Sequence, residues 1–452
     1  MSTKKTPPNL LTRESLRKMI FQFRDVLMAR EFLSQQDVAV HRDLLLTKLI
    51  AHVAARVPYY SERLAPVLGT RGFSVERWRE IPLLTRATVQ RDASELYAQA
   101  LPFYFGTVGE RGTSGSTGRP VNFREDDLHV VASEAQMDRA FTWWCLDGNK
   151  TSATFMSTYN DAKFRSGDQM RYEWRYGFPG GARHILELMV DIDKQVEWLA
   201  KIRPEYLSVR GGAHLAQLAR HAERRGESLR FDLILSGACA MTAEARELAS
   251  RIFKSRVADI YGAAEAGIIA YECSDCGLYH TCDETIFVEV LRDDGCPCEE
   301  GEMGKVVVTP LYSYAMSLIR YEIGDYATRG PAHAPCGRGL SSLSSVVGRY
   351  RNLFVLKDGR IIQPYIHYSL KEHLRYRQIQ MVQTAYDRVE IRYVPEGDTP
   401  PDRVAIESLI HRMLDPSLAV ALVPIDRFEV HPAGKFEETL SLVPHDTHVP
   451  GL

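Results

Sequence analysis

The glycine-rich segment 112–120, Gly-Thr-Ser-Gly-Ser-Thr-Gly-Arg-Pro, constrains this chain more than any other stretch. Glycine lets the backbone adopt a positive φ and approach a ligand closely. Successive backbone N–H groups in such a loop form a concave nest for anions, and hydroxyl side chains add donors. A flexible linker is the alternative, but the segment is short and runs into a predicted strand at 119–123. We therefore predict a phosphate-binding loop formed by Thr113, Ser114, Gly115, Ser116, Thr117 and Gly118.

This loop differs from two common phosphate-binding motifs. The P-loop of nucleotide triphosphatases needs a lysine directly after its last glycine, whereas Gly118 is followed by Arg119 and Pro120. The dinucleotide fingerprint needs a Gly-x-Gly-x-x-Gly run that opens a helix, and no such run occurs here. The segment therefore indicates a different class of nucleotide-binding protein, which companion motifs elsewhere in the chain must identify.

Length and composition set the remaining bounds. A chain of 452 residues predicts two or three structural units, and 45% apolar with 25% charged residues is ordinary for a globular enzyme. A net charge of -2 gives no reason to expect nucleic acid or an anionic membrane as a partner. No apolar run approaches the roughly 18 residues of a membrane span, and residues 1–9 precede no apolar signal-peptide region. We expect a cytoplasmic protein without a membrane partner.

Hydrophobic patterns predict an α/β fold. Segments 14–56 and 126–146 have the periodicity of helices. Between 205 and 310, short apolar runs alternate with helical patterns, which is typical of a sheet with mainly parallel strands. Runs at 286–291 and 305–309 alternate as antiparallel strands do. The sheets are therefore expected to be mixed, and mainly parallel.

The last hundred residues predict a separate small α+β domain, because strand patterns there surround one helical pattern near the end. We therefore expect a large N-terminal domain over residues 1–348, which includes a helical arm at 1–100. A small C-terminal domain is expected over residues 349–452.

Three short segments are predicted to be ligand-binding loops beyond the ends of strands. They span 236–238, 259–265 and 321–325. In an open α/β sheet, loops at the carboxyl ends of strands form the ligand site. A loop of small residues can lie flat on a purine base, which is the role predicted for Ser236, Gly237 and Ala238.

The other two segments contain side chains suited to the rest of a nucleotide. Tyr261, followed by Gly262 and Ala263, offers an aromatic face for stacking. Glu265 can supply an oxygen ligand to Mg²⁺, and Asp325 can accept hydrogen bonds from ribose hydroxyls. Each residue also has a plain structural interpretation, as a core tyrosine, a solvated charge and a turn residue. Their order after the phosphate loop favours nucleotide binding.

Together these motifs resemble the adenylate-forming superfamily, and within it the phenylacetate-CoA ligase-like branch that includes CapK-type proteins. The resemblance extends from about residue 40 to residue 440. Segment 261–265 resembles the adenine and magnesium motif, and 319–325 the ribose motif. Gly348-Arg349 is similar to the start of the hinge motif, whose arginine contacts the nucleotide. Segment 432–435 is similar to the C-terminal Gly-Lys motif, in which Lys435 would stabilise the adenylation transition state.

The resemblance implies an AMP-forming ligase that uses ATP and Mg²⁺. A carboxylic acid, aromatic or otherwise apolar, would become an acyl-adenylate and pass its acyl group to CoA. The small domain would rotate between the two steps at a hinge near Arg349. Transfer to an amine or alcohol is one alternative, and a weakly catalytic binding protein in a polysaccharide or natural-product biosynthetic cluster is another. Whether the chain forms a homodimer is left open.

A cluster of cysteines predicts a structural zinc site. Cys273, Cys276, His280 and Cys282 lie within ten residues, in the manner of a zinc knuckle, and Cys336 is a rival for the fourth position. Four nitrogen and sulfur ligands suit tetrahedral Zn²⁺. Ordinary reduced cysteines, or a redox dithiol at the first two positions, are the alternatives.

Overall fold

A computed structural model describes residues 12–443 except 70–71, 102–105, 113–120, 157–168, 176, 189, 350–352, 363, 365, 367–369 and 429–436. The chain forms two compact units. The first consists of residues 1–149, 173–181 and 258–346, and the second of residues 150–172, 182–257 and 347–452. The division into domains at 1–348 and 349–452 stays a prediction.

Helices occur in the predicted helical segments 14–56 and 126–146, and short polar side chains begin several helices. Thr85 and Thr242 accept hydrogen bonds from backbone N–H groups in the first turns of their helices and are therefore N-caps. The helices are α1 Arg13–Arg30, α2 Gln35–Arg56, α3 Arg86–Asp92, α4 Asp127–Trp143, α5 Ile192–Ile202, α6 Gly211–Arg225, α7 Ala243–Leu248, α8 Leu370–His373 and α9 Arg403–Met413. No helix in the described part of the chain is long and apolar enough to cross a membrane.

The strands alternate with these helices. They are β1 Leu68–Gly69, β2 Gly72–Phe73, β3 Leu84–Thr85, β4 Val108–Gly112, β5 Asn122–Asp126, β6 Ser152–Met156, β7 Gln169–Tyr172, β8 Ala182–Glu187, β9 Tyr206–Val209, β10 Leu233–Gly237, β11 Arg256–Ala263, β12 Gly267–Glu272, β13 Tyr279–Thr281, β14 Ile286–Leu291, β15 Met303–Pro310, β16 Tyr321–Arg329, β17 Ser342–Arg349, β18 Phe354–Val355, β19 Ile361–Ile362, β20 Tyr376–Ala385, β21 Arg388–Pro395, β22 Ala419–Pro424 and β23 Thr439–Ser441.

In the first unit the main sheet is antiparallel. Its strand order is β14-β15-β16-β17-β13-β12-β11. The predicted antiparallel strands near 286–291 and 305–309 are confirmed as the β14–β15 pair. One short strand joins this sheet in parallel, because β3 pairs with the beginning of β16 through Leu84 opposite Tyr321.

In the second unit the strands are mainly parallel. β10, β9, β6 and β8 form consecutive parallel pairs, and β7 adds an antiparallel edge to β8. Helices α5 and α6 bury apolar residues in the core of this sheet. Residues after 352 have their own core and a mixed four-stranded sheet in the order β22-β21-β20-β23. The mixed α/β fold class is therefore confirmed.

Helix α4 in the first unit carries a fully buried arginine. The Arg139 side chain has no solvent exposure, and its guanidinium donates to both carboxylate oxygens of Glu284 at 2.7 and 3.1 Å. It also donates to the Tyr271 hydroxyl at 2.5 Å and to Gln136 at 2.8 Å. The charge is retained in the core because each partner either neutralises it or accepts from it.

Replacement of Arg139 by Met should destabilise the first unit by about 3–5 kcal/mol, because the buried Glu284 carboxylate loses its counter-charge. The free energy of unfolding can be measured with urea. Arg124→Met is the matched control, because Arg124 forms an ion pair with Glu110 near the surface, and a change within about 0.5 kcal/mol is expected. Equal stability of Arg139→Met and the unsubstituted protein would contradict the assigned role of the buried pair.

Candidate active site

The segment that carries Tyr261 and Glu265 is a tight hairpin between β11 and β12 in the first unit. A loop was predicted over 259–265, but β11 continues to Ala263. The register shifts between Tyr261 and Gly262. A Cβ atom at Gly262 would lie 2.7 Å from the carbonyl oxygen of Gly267, so this crossing needs glycine. The hairpin places Glu265 in the turn itself, with its side chain 2% exposed.

Asp325 lies within a strand, and the prediction that 321–325 forms a loop is wrong. Strand β16 begins at Tyr321 and continues to Arg329. The loop-like sequence signal has a physical cause, because Gly324 has a φ of 86° and the register against β15 shifts near this point. Such a bulge re-aims the neighbouring side chain. Asp325 is 8% exposed.

Two tyrosine–carboxylate pairs connect the hairpin to β16. The Tyr261 hydroxyl donates to Asp325 Oδ2 at 2.9 Å. In the opposite direction, the Tyr321 hydroxyl donates to Glu265 Oε1 at 3.0 Å. Burial and the Glu265 carboxylate raise the pKa of Tyr321, so this hydroxyl stays protonated and continues to donate. The structure thus brings together three of the residues predicted from distant segments.

A residue that the sequence analysis did not single out joins the second of these pairs. Arg86 Nη1 lies 2.7 Å from Glu265 Oε1 and 3.2 Å from the Tyr321 hydroxyl. Burial alone would lower the pKa of the Arg86 guanidinium, but Tyr321 and Glu265 outweigh it and raise the pKa. The available signal was a basic residue directly after the N-cap Thr85. Nothing in the sequence spacing relates Arg86 to Glu265.

In the second unit, the predicted purine-binding residues lie at the end of a parallel strand. Ser236 and Gly237 are the last residues of β10, and Ala238 follows with a φ of 68°. A positive φ is uncommon for alanine and marks a tightly constrained turn. The Ser236 hydroxyl is buried and has no hydrogen-bond partner among the described residues. Arg349 is the last residue of β17.

Other predicted site residues lie outside the described part of the chain. One of them is Lys435, which was predicted to stabilise the adenylation transition state. The others form the predicted phosphate-binding loop, namely Thr113, Ser114, Gly115, Ser116, Thr117 and Gly118. Their roles remain predictions from the sequence.

Four of the five candidate zinc ligands form one cluster in the first unit. The ligand atoms of Cys273, Cys276, His280 and Cys336 all lie within 4.8 Å of one another. His280 Nε2 is 3.1 Å from the sulfur of Cys336 and 3.8 Å from that of Cys276. Burial, with a contribution from Arg338, lowers the pKa of His280 to about 4. The imidazole is therefore neutral near pH 7, which is the form that binds a metal.

The fifth candidate, Cys282, is not a member of this cluster. Its side chain is fully buried, and burial raises the pKa of its thiol, with Arg139 and Glu284 as charged neighbours. Arg338 instead borders the cluster, because it donates to the Cys273 sulfur at 3.3 Å and packs 4.0 Å above the Trp143 ring.

Comparison with known proteins gives two related sequences, while no family model matches the chain. A phenylacetate-coenzyme A ligase from Thermus thermophilus is 26% identical over 344 residues, which cover 72% of this chain and 74% of the relative. One from Pseudomonas putida is 23% identical over 316 residues, which cover 65% of this chain and 64% of the relative. The chain is therefore similar in sequence to two phenylacetate-coenzyme A ligases.

A solved structure supports the same assignment at the level of fold. The 2-hydroxyisobutyryl-CoA ligase, in its post-adenylation state with 2-HIB-AMP, superimposes with a TM-score of 0.65. The identity is 14%, and the match covers 99% of this chain and 95% of that ligase. The chain therefore has the fold of this adenylate-forming CoA ligase, as the sequence motifs indicated. The resemblance to CapK-type proteins stays a prediction.

Proposed function

We propose that the protein activates a carboxylic acid with ATP as an acyl-adenylate and then transfers the acyl group to CoA. The kinship with phenylacetate-coenzyme A ligases supports this assignment. The structural observation that carries it is the pair of tyrosine–carboxylate contacts. They hold three groups together in one unit. These are the aromatic ring of Tyr261, the Asp325 carboxylate that could accept from a ribose, and the Glu265 carboxylate that could bind magnesium.

The proposed nucleotide contacts follow from the chemistry of these groups. The Tyr261 ring stacks on adenine, and its hydroxyl orients the Asp325 carboxylate through the 2.9 Å hydrogen bond. Asp325 accepts from ribose hydroxyls, because a carboxylate can accept two parallel hydrogen bonds. In the second unit, the proposed purine contact is made by Ser236, Gly237 and Ala238.

Glu265 fits the role of a magnesium ligand. Its described contacts, with Arg86 and Tyr321, both fall on Oε1, so Oε2 is the oxygen that we assign to the ion. Mg²⁺ is commonly held by one or two carboxylates together with substrate phosphates. When bound, the ion would neutralise charge on the β- and γ-phosphates.

The proposed reaction has two steps. A carboxylate oxygen of the acid attacks the α-phosphorus, the bond to the β-phosphate breaks, and pyrophosphate leaves. The CoA thiolate then attacks the acyl carbon, and AMP leaves with the oxygen that came from the acid. Positioning and charge stabilisation supply most of the catalysis, and we assign these to Lys435, Arg349 and the loop 113–118.

The acid is proposed to be aromatic or otherwise apolar.

Adenylation and the choice of acid are tested by exchange of labelled pyrophosphate into ATP, measured separately with phenylacetate, anthranilate and 2-hydroxyisobutyrate. Exchange should depend on the acid, since it reports reversible adenylation. Lys435→Ala should reduce it by at least about 100-fold, as expected when a charge that stabilises a transition state is lost. Lys357→Ala is the matched control, because Lys357 is 70% exposed and pairs with Asp387.

The same protein sample separates the alternatives. CoA-dependent release of AMP supports thioester formation, whereas release that depends on an added amine or alcohol would move the assignment to amide or ester formation. Absence of exchange across a broad acid panel would contradict the enzyme assignment and favour a binding role.

Substitutions at Tyr261 separate stacking from hydrogen bonding. Tyr261→Phe keeps the ring and loses only the hydroxyl that orients Asp325, whereas Tyr261→Ala loses both. If the ring stacks on adenine, Tyr261→Ala should weaken ATP binding by about 5- to 100-fold, in line with the energy of base–aromatic stacking. Tyr261→Phe should weaken it less. Calorimetric titration gives both affinities, and equal affinities for the two variants would contradict the stacking role.

We also propose that Cys273, Cys276, His280 and Cys336 hold a structural zinc ion. The cluster offers three sulfurs and one neutral imidazole, which is a donor set that suits tetrahedral Zn²⁺. All four positions are filled by protein ligands, so the ion would join the β12–β13 turn to the loop before β17 and leave no position for a reacting water.

Metal analysis of protein purified without chelators should give about one zinc per chain, as expected for a four-ligand site. Cys336→Ser should lose most of the metal, because it removes one of the four ligands. Cys282→Ala and the partly exposed Cys296→Ser are controls that should retain zinc. Zinc loss in Cys282→Ala with retention in Cys336→Ser would reverse the ligand assignment, and a stoichiometry near zero in the unsubstituted protein would refute the site.

A further inference from the structure

Arg86 is held in place by the backbone on both sides of it. The preceding strand β3 pairs in parallel with β16, with Leu84 opposite Tyr321 and Thr85 opposite Glu322. The Thr85 side chain then caps α3, which begins at Arg86. Residues 84–86 are therefore fixed to the same strand that carries Tyr321 and Asp325.

Arg320, the buried residue directly before β16, fixes the segment that precedes β3. Arg320 donates to the carbonyl oxygens of Arg79 and Ile81 at 2.9 and 2.7 Å, and pairs with Glu289 at 3.1 Å. Its own carbonyl accepts from Leu84 N–H at 2.9 Å. Arg320 has a φ of 49°, an unfavourable conformation for a residue with a side chain. These contacts hold the backbone that leads to Arg86 in one position within the first unit.

The Arg86 guanidinium is only partly satisfied by the protein. One nitrogen, Nη1, contacts Glu265 and Tyr321, whereas Nε is buried and has no hydrogen-bond partner among the described residues. The side chain is 14% exposed. A buried donor without an acceptor is costly, and an acceptor atom on a bound ligand is one way to satisfy it. A ligand that pairs with the Arg86 guanidinium would supply acceptor oxygens that carry negative charge.

We propose that Arg86 is a phosphate-binding residue that contacts the β- and γ-phosphates of the nucleotide. This inference rests on the proposed function, in which Glu265 would hold Mg²⁺ and the ion would neutralise charge on these two phosphates. Arg86 lies on the same carboxylate, so its remaining donors reach the same end of the nucleotide. Guanidinium groups suit phosphate oxygens because their donors form a planar fork.

The contact between Arg86 and Glu265 also balances the negative charge of a buried carboxylate. Glu265 is almost fully buried, and an unpaired carboxylate there would be costly. Arg86 neutralises it before the nucleotide arrives. Once a triphosphate is bound, its several negative charges balance both Arg86 and the magnesium ion. Arg86 thus pairs with the Glu265 carboxylate in the empty site and contributes to phosphate binding in the loaded site.

A purely structural role makes a different prediction. If Arg86 only neutralised Glu265, its loss would disturb the whole pocket, and binding of ATP and AMP would weaken together. A contact with the β- and γ-phosphates affects ATP alone, because AMP lacks those groups. The ratio of the two affinities therefore separates the roles.

The experiment is calorimetric titration of ATP and of AMP, each with Mg²⁺, into the full chain and its variants. Arg86→Met should weaken ATP binding by about 10- to 100-fold, the loss expected for one charge-assisted hydrogen-bonding group. AMP affinity should change by less than about 3-fold. The matched control is Arg91→Met, on the same helix α3, because Arg91 is 69% exposed and pairs with Asp92. Its two affinities should equal those of the unsubstituted protein.

Arg86→Lys covers the case in which the methionine variant does not fold. Lysine keeps the charge on Glu265 but lacks the planar fork, so ATP should still bind more weakly while AMP does not. Unchanged ATP affinity in the Arg86 variants, or parallel losses for ATP and AMP, would overturn the inference and leave the proposed function standing. Failure of the unsubstituted protein to bind either nucleotide would overturn both.

Discussion

The candidate site depends on one buried ion pair, between Arg86 and Glu265. Glu265 lies in a hairpin turn and Arg86 at the start of α3, and their side chains meet at 2.7 Å with little solvent exposure. Tyr321 joins them through its hydroxyl. A buried carboxylate without a partner is costly, and Arg86 supplies that partner where a metal and phosphates are proposed to bind.

The surrounding strands are irregular at the points where they present site residues. Gly262 permits the close crossing of β11 and β12, and Gly324 permits the bulge that re-aims Asp325. Regular strands would alternate side chains between the two faces of the sheet. The two irregularities instead accompany contacts of Tyr261 with Asp325 and of Tyr321 with Glu265. The irregular backbone at Gly262 and Gly324 is therefore part of how the fold positions the site residues.

Sequence reasoning succeeded where the signal is local. The helices within 14–56 and 126–146 and the β14–β15 pair follow from periodicity, and the motifs around Tyr261, Glu265 and Asp325 carry the resemblance to the adenylate-forming superfamily. It failed on the segment before Asp325, because glycine in a bulge and glycine in a loop give the same signal. Arg86 was missed because its meaning comes from a parallel pairing between β3 and β16, across more than two hundred residues. Likewise, the sequence left Cys282 and Cys336 as rivals for the fourth zinc ligand, and only the fold shows that Cys336 joins the cluster.

The central claim is that this site forms an acyl-adenylate, and the fate of the acid's oxygen tests it most directly. The acid that gives the fastest pyrophosphate exchange is labelled with ¹⁸O in its carboxyl group and incubated with ATP, Mg²⁺ and CoA, and the nucleotide product is analysed by mass spectrometry. The account predicts AMP that carries one ¹⁸O atom, because the acid's oxygen stays on the α-phosphorus when the acyl group is transferred. Unlabelled AMP, or ADP together with ¹⁸O-labelled phosphate, would contradict it.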